Sequence, residues 1–211
     1  MLGILKRDLH LIISDKRNRL FFLLYIPSLL FIVESYDPKW PYFIILYTYT
    51  YLMAITPFSY DVTYKTSYMM SSLPISRNEM VLYKYLLTFV YFLITVVYAG
   101  VYLWIINVLG IMNVDYFNLE MIKTVIPVIL ISTSLIYPAY FRFEARIARI
   151  VHMIVFISSF IAMINIANLA DKALISYISL PIISKYILPI SIVMYLLSLL
   201  LSIKLYESRD L

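Results

Sequence analysis

Six apolar stretches of the chain, separated by short polar segments, each have about the length of a membrane-crossing helix. A helix needs about 20 mostly apolar residues to cross the hydrocarbon core of a bilayer. Composition agrees, because 63% of the 211 residues are hydrophobic and 14% are charged, whereas about a quarter of the residues of a soluble domain are charged. The sequence therefore predicts an all-α, polytopic membrane helical bundle that forms a single transmembrane domain over residues 1–211. The predicted spans are 20–36, 40–58, 85–112, 122–141, 150–170 and 186–205.

The basic residues are unevenly distributed among the segments that connect the spans. Because the number of predicted spans is even, both termini lie on one side, and that side holds thirteen of the seventeen Lys and Arg residues. Basic residues accumulate on the cytoplasmic side of membrane proteins. The sequence therefore predicts cytoplasmic termini. Membrane topology and contact with membrane lipid then explain the net charge of +5, and no nucleic-acid binding is expected.

Residue types on which many catalytic and cofactor sites depend are scarce. Cysteine is absent, and the three glycines, Gly3, Gly100 and Gly110, are too dispersed to form a phosphate-binding loop. His10 and His152 lie far apart in the sequence, which argues against a zinc site. We therefore predict no catalytic, cofactor-binding or metal-binding residues. If ATP drives this protein, ATP and Mg²⁺ must bind in a partner chain.

Residues 1–19 have the pattern of an amphipathic cytoplasmic helix. Its apolar positions recur with helical spacing, and polar positions lie between them. The apolar set is Leu2, Leu5, Leu9, Ile12 and Ile13, and the polar set is Lys6, Arg7, His10 and Ser14. Such a helix lies along the inner leaflet of a membrane. It would either brace a bundle that moves or serve as a simple anchor.

The cytoplasmic segment 59–84 is longer than two antiparallel spans need, so we expect it to have structure of its own. Pro74 interrupts it, and Ser76 and Glu79 then have the S-x-x-E spacing of a capping box at the start of the next helix. Upstream, the apolar side chains of Tyr68, Met69 and Leu73 could be exposed. They would either bind a soluble partner or rest on lipid.

The segment 171–185 is apolar but unsuited to crossing the membrane, because it is short and interrupted by Pro181 and Lys185. A single helix over 173–206 would be about 50 Å long, well beyond a hydrocarbon core of about 30 Å. We therefore predict an extracellular re-entrant piece at 171–185, packed against protein so that its backbone polar groups are satisfied. The alternative is a loosely folded apolar loop.

The run SLPISRNEMVLYKY at 72–85 resembles the stretch that follows the second span in short bacterial permeases of the type-2 ABC exporter family. The matching positions are Asp61, Leu73, Pro74, Ser76, Arg77, Lys84 and Tyr85. The resemblance extends over the whole chain in its amphipathic first helix, its six spans and its lack of an ATPase domain. It implies a multi-pass permease in the bacterial plasma membrane, paired with a second permease chain and bound to separate ABC ATPase subunits.

In this family the segment after the second span supplies a coupling helix that inserts into a cleft of the ATPase. The resemblance thus implies an ATPase-coupling surface at Lys65, Tyr68, Met69, Leu73, Pro74, Ser76 and Arg77. Small permeases of the family include exporters of amphipathic peptides such as phenol-soluble modulins. The resemblance therefore implies export of an amphipathic or hydrophobic substrate, with a peptide favoured.

Few polar residues lie within the predicted spans. Those that could face a translocation path are Asn107, Ser132, Ser158, Asn165 and Asn168, although helix packing is the simpler role for such residues. Two other classes of function compete with transport. One is an integral membrane lipid-modifying enzyme, for which no cluster of nucleophile, acid and base is visible. The other is a non-catalytic membrane immunity protein.

Overall fold

The structure is a computed structural model that describes residues 2–14, 16–32, 39–63, 76–170 and 180–208. These residues form seven α-helices and contain no β-strand, which confirms the all-α prediction. The helices are α1 (Leu2–Ser14), α2 (Lys16–Ile32), α3 (Lys39–Thr63), α4 (Arg77–Val108), α5 (Leu119–Arg142), α6 (Ala145–Ala170) and α7 (Leu180–Glu207). They divide between two compact units, Met1–Ile122 and Lys123–Arg209.

Three helices in the described ranges are long and apolar enough to cross a membrane. They are α4, α5 and the part of α7 from Tyr186 to Glu207. In α2 the apolar stretch is shorter, Asn18–Leu30. The run YTYTY at 47–51 lowers the apolarity of α3. A helical membrane protein is therefore confirmed, whereas the count of six spans stays a prediction.

Helix α3 lies at the centre of the first unit and packs against α1, α2 and α4. Tyr49 is fully buried, and its ring centroid lies 5.4 Å from that of Tyr25 on α2 and 5.6 Å from that of Tyr98 on α4. Its hydroxyl donates a hydrogen bond to the carbonyl oxygen of Phe22. Tyrosine can fill a core position when its hydroxyl finds such a partner. The chain has 21 tyrosines, more than the two membrane–water interfaces would hold. Packing inside the protein, as at Tyr49, accounts for some of them.

The opposite face of α4 is exposed and apolar. Its exposed side chains recur every three or four residues, as expected for one face of a helix. They are Leu82, Leu86, Phe89, Leu93, Val97 and Val101. A face of this length and apolarity is typical of contact with lipid rather than water.

The segment between α4 and α5 is folded back onto the first unit. The side-chain amide of Asn107 bonds both backbone groups of Val114, at 2.5 Å to its oxygen and 3.0 Å from its nitrogen. The ring of Phe117 lies against Gly100, where an added Cβ would come within 2.4 Å of it. Asn118 then accepts bonds from the nitrogens of Glu120 and Met121, so that it caps α5.

The second unit contains most of α5 together with α6 and α7. The hydroxyl of Ser198 on α7 donates to the carbonyl oxygen of Ser134 on α5 at 2.6 Å. Near the ends of the same two helices, the rings of Phe141 and Tyr206 lie 5.3 Å apart. Small hydroxyl residues let apolar helices approach closely and bond across the contact.

Candidate functional site

The buried face of α1 carries a carboxylate. Ile4, Asp8 and Ile12 recur every four residues and are 7%, 0% and 3% exposed, whereas Ile13 is 57% exposed. This face differs from the apolar face that the sequence pattern predicts, which includes Ile13 and omits Asp8. Burying an ionised carboxylate is costly unless it is paired and hydrogen-bonded. Asp8 must therefore have partners elsewhere in the first unit.

Asp8 belongs to a cluster of four charged side chains from three helices. Lys84 on α4 places its Nζ atom 2.8 Å from Oδ2 of Asp8 and 3.2 Å from Oδ2 of Asp61 on α3. Arg7 bridges the same two carboxylates, with Nη2 2.7 Å from Oδ1 of Asp8 and 3.0 Å from Oδ2 of Asp61. Two cations thus face two anions, and the cluster is formally neutral. We call these four residues the charge cluster.

The charge cluster is shielded from solvent mainly at Asp8 and Lys84, whose side chains are 0% and 5% exposed. Tyr91 completes the coordination of Asp8 by donating its hydroxyl to Oδ2 at 3.4 Å. The ring of Phe58 lies 4.9 Å from Nζ of Lys84, in the range of a cation–π contact. Removing one partner of such a buried pair leaves an uncompensated charge, which typically costs about 3–5 kcal/mol.

Arg7 lies at the more open side of the charge cluster. Burial alone would lower the pKa of its guanidinium, but the attraction of Asp61 and Asp8 and the hydrogen bonds to both carboxylates raise that pKa above its ordinary value. Arg7 therefore stays charged under all physiological conditions. Its two carboxylate partners lie on different helices, so it fixes α1 to the end of α3.

Asp61 and Lys84 of the charge cluster lie on either side of the predicted coupling surface, residues 65–77, which we call the coupling segment. Asp61 lies two residues before α3 ends at Thr63, and Lys84 lies about two turns into α4, which begins at Arg77. The two helix ends that border the segment are therefore tied to the same residues of α1. The predicted coupling residues Lys65, Tyr68, Met69, Leu73 and Pro74 lie outside the described residues.

The start of α4 is fixed by the predicted capping box. The nitrogen of Glu79 donates to Oγ of Ser76 at 3.2 Å, and the nitrogen of Ser76 donates to Oε2 of Glu79 at 3.0 Å. This arrangement satisfies two backbone groups that a helix start otherwise leaves unpaired. The capping box is thus confirmed. Ser76 and Arg77 are both exposed at the end of the coupling segment.

A further bond joins α2 to the end of α3 beside the charge cluster. The side-chain nitrogen of Asn18 donates to the hydroxyl of Tyr60 at 3.0 Å. Only residue 15 separates α1 from α2. The first two helices are therefore both fixed to the end of α3, by Arg7 and by Asn18.

The residues predicted to face a translocation path have different surroundings. Asn107 bonds the backbone of Val114, as described above. Ser132 is buried, and its hydroxyl lies 3.5 Å from that of Ser159 within the second unit. Ser158 is exposed. The side chains of Asn165 and Asn168 lie outside the described part of the chain. A role in the path stays a prediction for all five.

The described residues contain no group of three or more His, Asp or Glu side chains placed to hold a metal ion. The acidic residues of the charge cluster are close to each other, but both carboxylates are held by Arg7 and Lys84. The charge cluster therefore consists of ion pairs that hold α1, α3 and α4 in fixed relative positions.

The three long apolar helices of the described ranges, together with the exposed apolar face of α4, define a helical integral membrane protein. The sequence profile described as ABC-2 family transporter protein matches residues 3–207. The chain belongs to this family. No curated protein and no solved structure matches the chain.

Membership in the family makes the chain a permease subunit of an ABC transporter and implies partnership with ABC ATPase subunits. It also points to a transport subunit rather than a catalyst. Of the charge cluster, Asp61 and Lys84 are part of the family-like sequence pattern, whereas sequence reasoning missed Asp8. The signal for Asp8 was its position midway between Ile4 and Ile12 on one helical face.

Proposed function

We propose that the chain is the permease subunit of an ATP-driven exporter, bound through its cytoplasmic segment 59–84 to a separate ATPase. The observation that carries this proposal is the family match over residues 3–207. With six spans and the distribution of basic residues described above, both termini lie in the cytoplasm. The segment 171–185 then lies outside the cell.

Two permease chains, identical or related, form the minimum transport unit in this proposal. The two ATPases close on ATP and push the coupling segments, and the membrane helices open a path outward. The proposed substrate is an amphipathic or hydrophobic molecule, with a peptide favoured. Support for this substrate class comes from the resemblance of residues 72–85 to short exporters. A match to transporters also weakens the two alternatives, a lipid-modifying enzyme and an immunity protein.

The coupling surface can be tested by recovery of the ATPase. The chain is tagged and co-expressed in turn with each ABC ATPase of the same genome, and the complex is purified from membranes. Replacing both Met69 and Leu73 with Asp should reduce ATPase recovery at least tenfold, because apolar anchors carry most of the binding energy of an interface. Membrane insertion should be unaffected, since neither residue lies in a predicted span.

A matched control replaces Tyr116 and Leu119 with Asp. These large side chains are also exposed, at 43% and 71%, but they lie between the predicted spans 85–112 and 122–141. The control should bind the ATPase as well as the unmodified chain does. Equal recovery with the Met69→Asp/Leu73→Asp variant would show that 59–84 is only a linker.

A further inference from the structure

The charge cluster ties α1 to both helices that border the coupling segment. Lys84 bonds carboxylates on α1 and α3, and Arg7 bonds its neighbour Asp8 and Asp61 on α3. Each cation is therefore shared between the same two anions. A displacement of α1 relative to the end of α3 or the start of α4 would break at least one of these ion pairs.

Breaking an ion pair here is costly because the central pair is buried. Asp8 is fully buried and Lys84 nearly so. A sliding motion that separated them would leave a charge without compensation in a low-dielectric environment. The ends of α3 and α4 and the whole of α1 are therefore expected to move together.

We propose that the charge cluster makes α1 a transmission element, which moves with the coupling segment and passes its displacement to α2. The proposal rests on the proposed function for the source of that displacement. It decides between the two roles that the sequence leaves open for α1, a brace of a moving bundle or a simple anchor.

The short connection between α1 and α2 explains how a displacement of α1 would reach α2. A single residue separates the two helices, so a shift of α1 acts on the first turn of α2. Asn18, in that first turn, also bonds Tyr60, next to Asp61. The first predicted span is thus connected to the coupling segment through α1 and through the end of α3. The exposed apolar side chains of α2, such as Leu20, Leu23 and Leu24, carry no comparable bond among those described.

The first test asks whether the charge cluster holds α1 in place. Because the chain contains no cysteine, a single introduced cysteine is a unique reporter. Ile12 is 3% exposed and its neighbour Ile13 is 57% exposed. In purified protein the Ile12→Cys variant should react with a maleimide at least tenfold more slowly than the Ile13→Cys variant.

Adding Lys84→Gln should raise the rate at Ile12→Cys at least fivefold and leave the rate at Ile13→Cys unchanged. The matched control is Lys123→Gln, at an exposed lysine on α5 outside the charge cluster, which should change neither rate. If Lys84→Gln does not yield folded protein by size exclusion and circular dichroism, the double variant Asp61→Asn/Lys84→Gln is used instead. It removes one anion and one cation, so Arg7 and Asp8 remain as a neutral pair. An unchanged rate at Ile12→Cys in the folded variant would overturn the proposal.

The second test asks whether α1 moves during the ATPase cycle. A bimane fluorophore on the Ile13→Cys variant reports the environment of α1 in the complex with the ATPase. Addition of ATP, Mg²⁺ and vanadate should shift its emission in the otherwise unmodified chain. Adding Asp61→Asn and Lys84→Gln together should abolish the shift, because no ion pair then joins α1 to α3 or α4 and Arg7 and Asp8 remain as a neutral pair. ATPase recovery should stay the same, because the coupling surface is intact.

The outcomes separate the two proposals. No ATPase recovered with the unmodified chain would contradict the proposed function, while the maleimide rates would still decide whether the charge cluster holds α1. An emission shift that persists in the Asp61→Asn/Lys84→Gln variant would mean that α1 responds without the charge cluster, and the transmission proposal would be wrong.

Discussion

Nζ of Lys84 lies 2.8 Å from Oδ2 of Asp8, 76 positions earlier in the sequence, and both side chains are buried. This ion pair joins α1 to α4, the helix that follows the predicted coupling segment. Apolar packing alone could hold α1 on the first unit. The presence of a buried pair instead means that the position of α1 depends on specific partners, since ion pairs tolerate little displacement.

Stability should depend on the neutrality of the charge cluster. Asp8→Asn leaves one excess positive charge and Lys84→Gln leaves one excess negative charge, and each should cost about 3–5 kcal/mol. The double variant retains Arg7 and Asp61 as a neutral pair, so its loss should be smaller than the sum of the single losses by about 1–3 kcal/mol. Thermal unfolding of the four proteins in detergent measures this coupling. Additive losses would mean that the two side chains act independently.

The close contact at Gly100 gives a second prediction. Gly100→Ala should push the ring of Phe117 away and cost about 1–3 kcal/mol, because a Cβ atom would lie 2.4–2.7 Å from three ring atoms. Removing the ring with Phe117→Ala should make Gly100→Ala nearly neutral. Gly3→Ala is the control, since no atom lies within 4 Å of the added Cβ. If Gly100→Ala lowered the free energy of unfolding equally with and without the ring of Phe117, the contact between Gly100 and Phe117 would be contradicted.

The predicted topology can be measured by labelling in intact cells. A cysteine at Asn113, which is exposed in the segment after α4, should react with a membrane-impermeant maleimide. Cysteines at Ser14 and Ser208, which are also exposed, should react only after the cells are permeabilised. If Asn113 were protected while Ser14 and Ser208 were labelled in intact cells, the topology would be the opposite of the predicted one.

The parts of the fold that could be predicted from the sequence are those set by local patterns. Long apolar runs specify helices, and the Ser76–Glu79 capping box spans only four residues. The central position of α3 could not be predicted, because its tyrosines and threonines have the same local pattern at an interface as in a core. Only neighbours on α1, α2 and α4 determine which of the two applies.

The charge cluster shows a similar limit. Its bonds connect residues that are 54, 76 and 83 positions apart, and no local pattern contains that information. Arg7 and Lys84 each fit the positive-inside rule, so a count of basic residues assigned them to the cytoplasmic surface. The local sequence pattern also gave no sign that Asp8 is buried. One acidic residue in a basic amphipathic segment is ordinarily a solvated residue.

The central claim is that this permease works with a separate ATPase, and ATP hydrolysis measures it most directly. The purified chain alone should show no vanadate-sensitive hydrolysis, because its three glycines cannot form a phosphate-binding loop. The complex purified through the tagged chain should hydrolyse ATP, and vanadate should stop it. Vanadate-sensitive hydrolysis by the pure chain, or none by a complex that contains the ATPase, would contradict the claim.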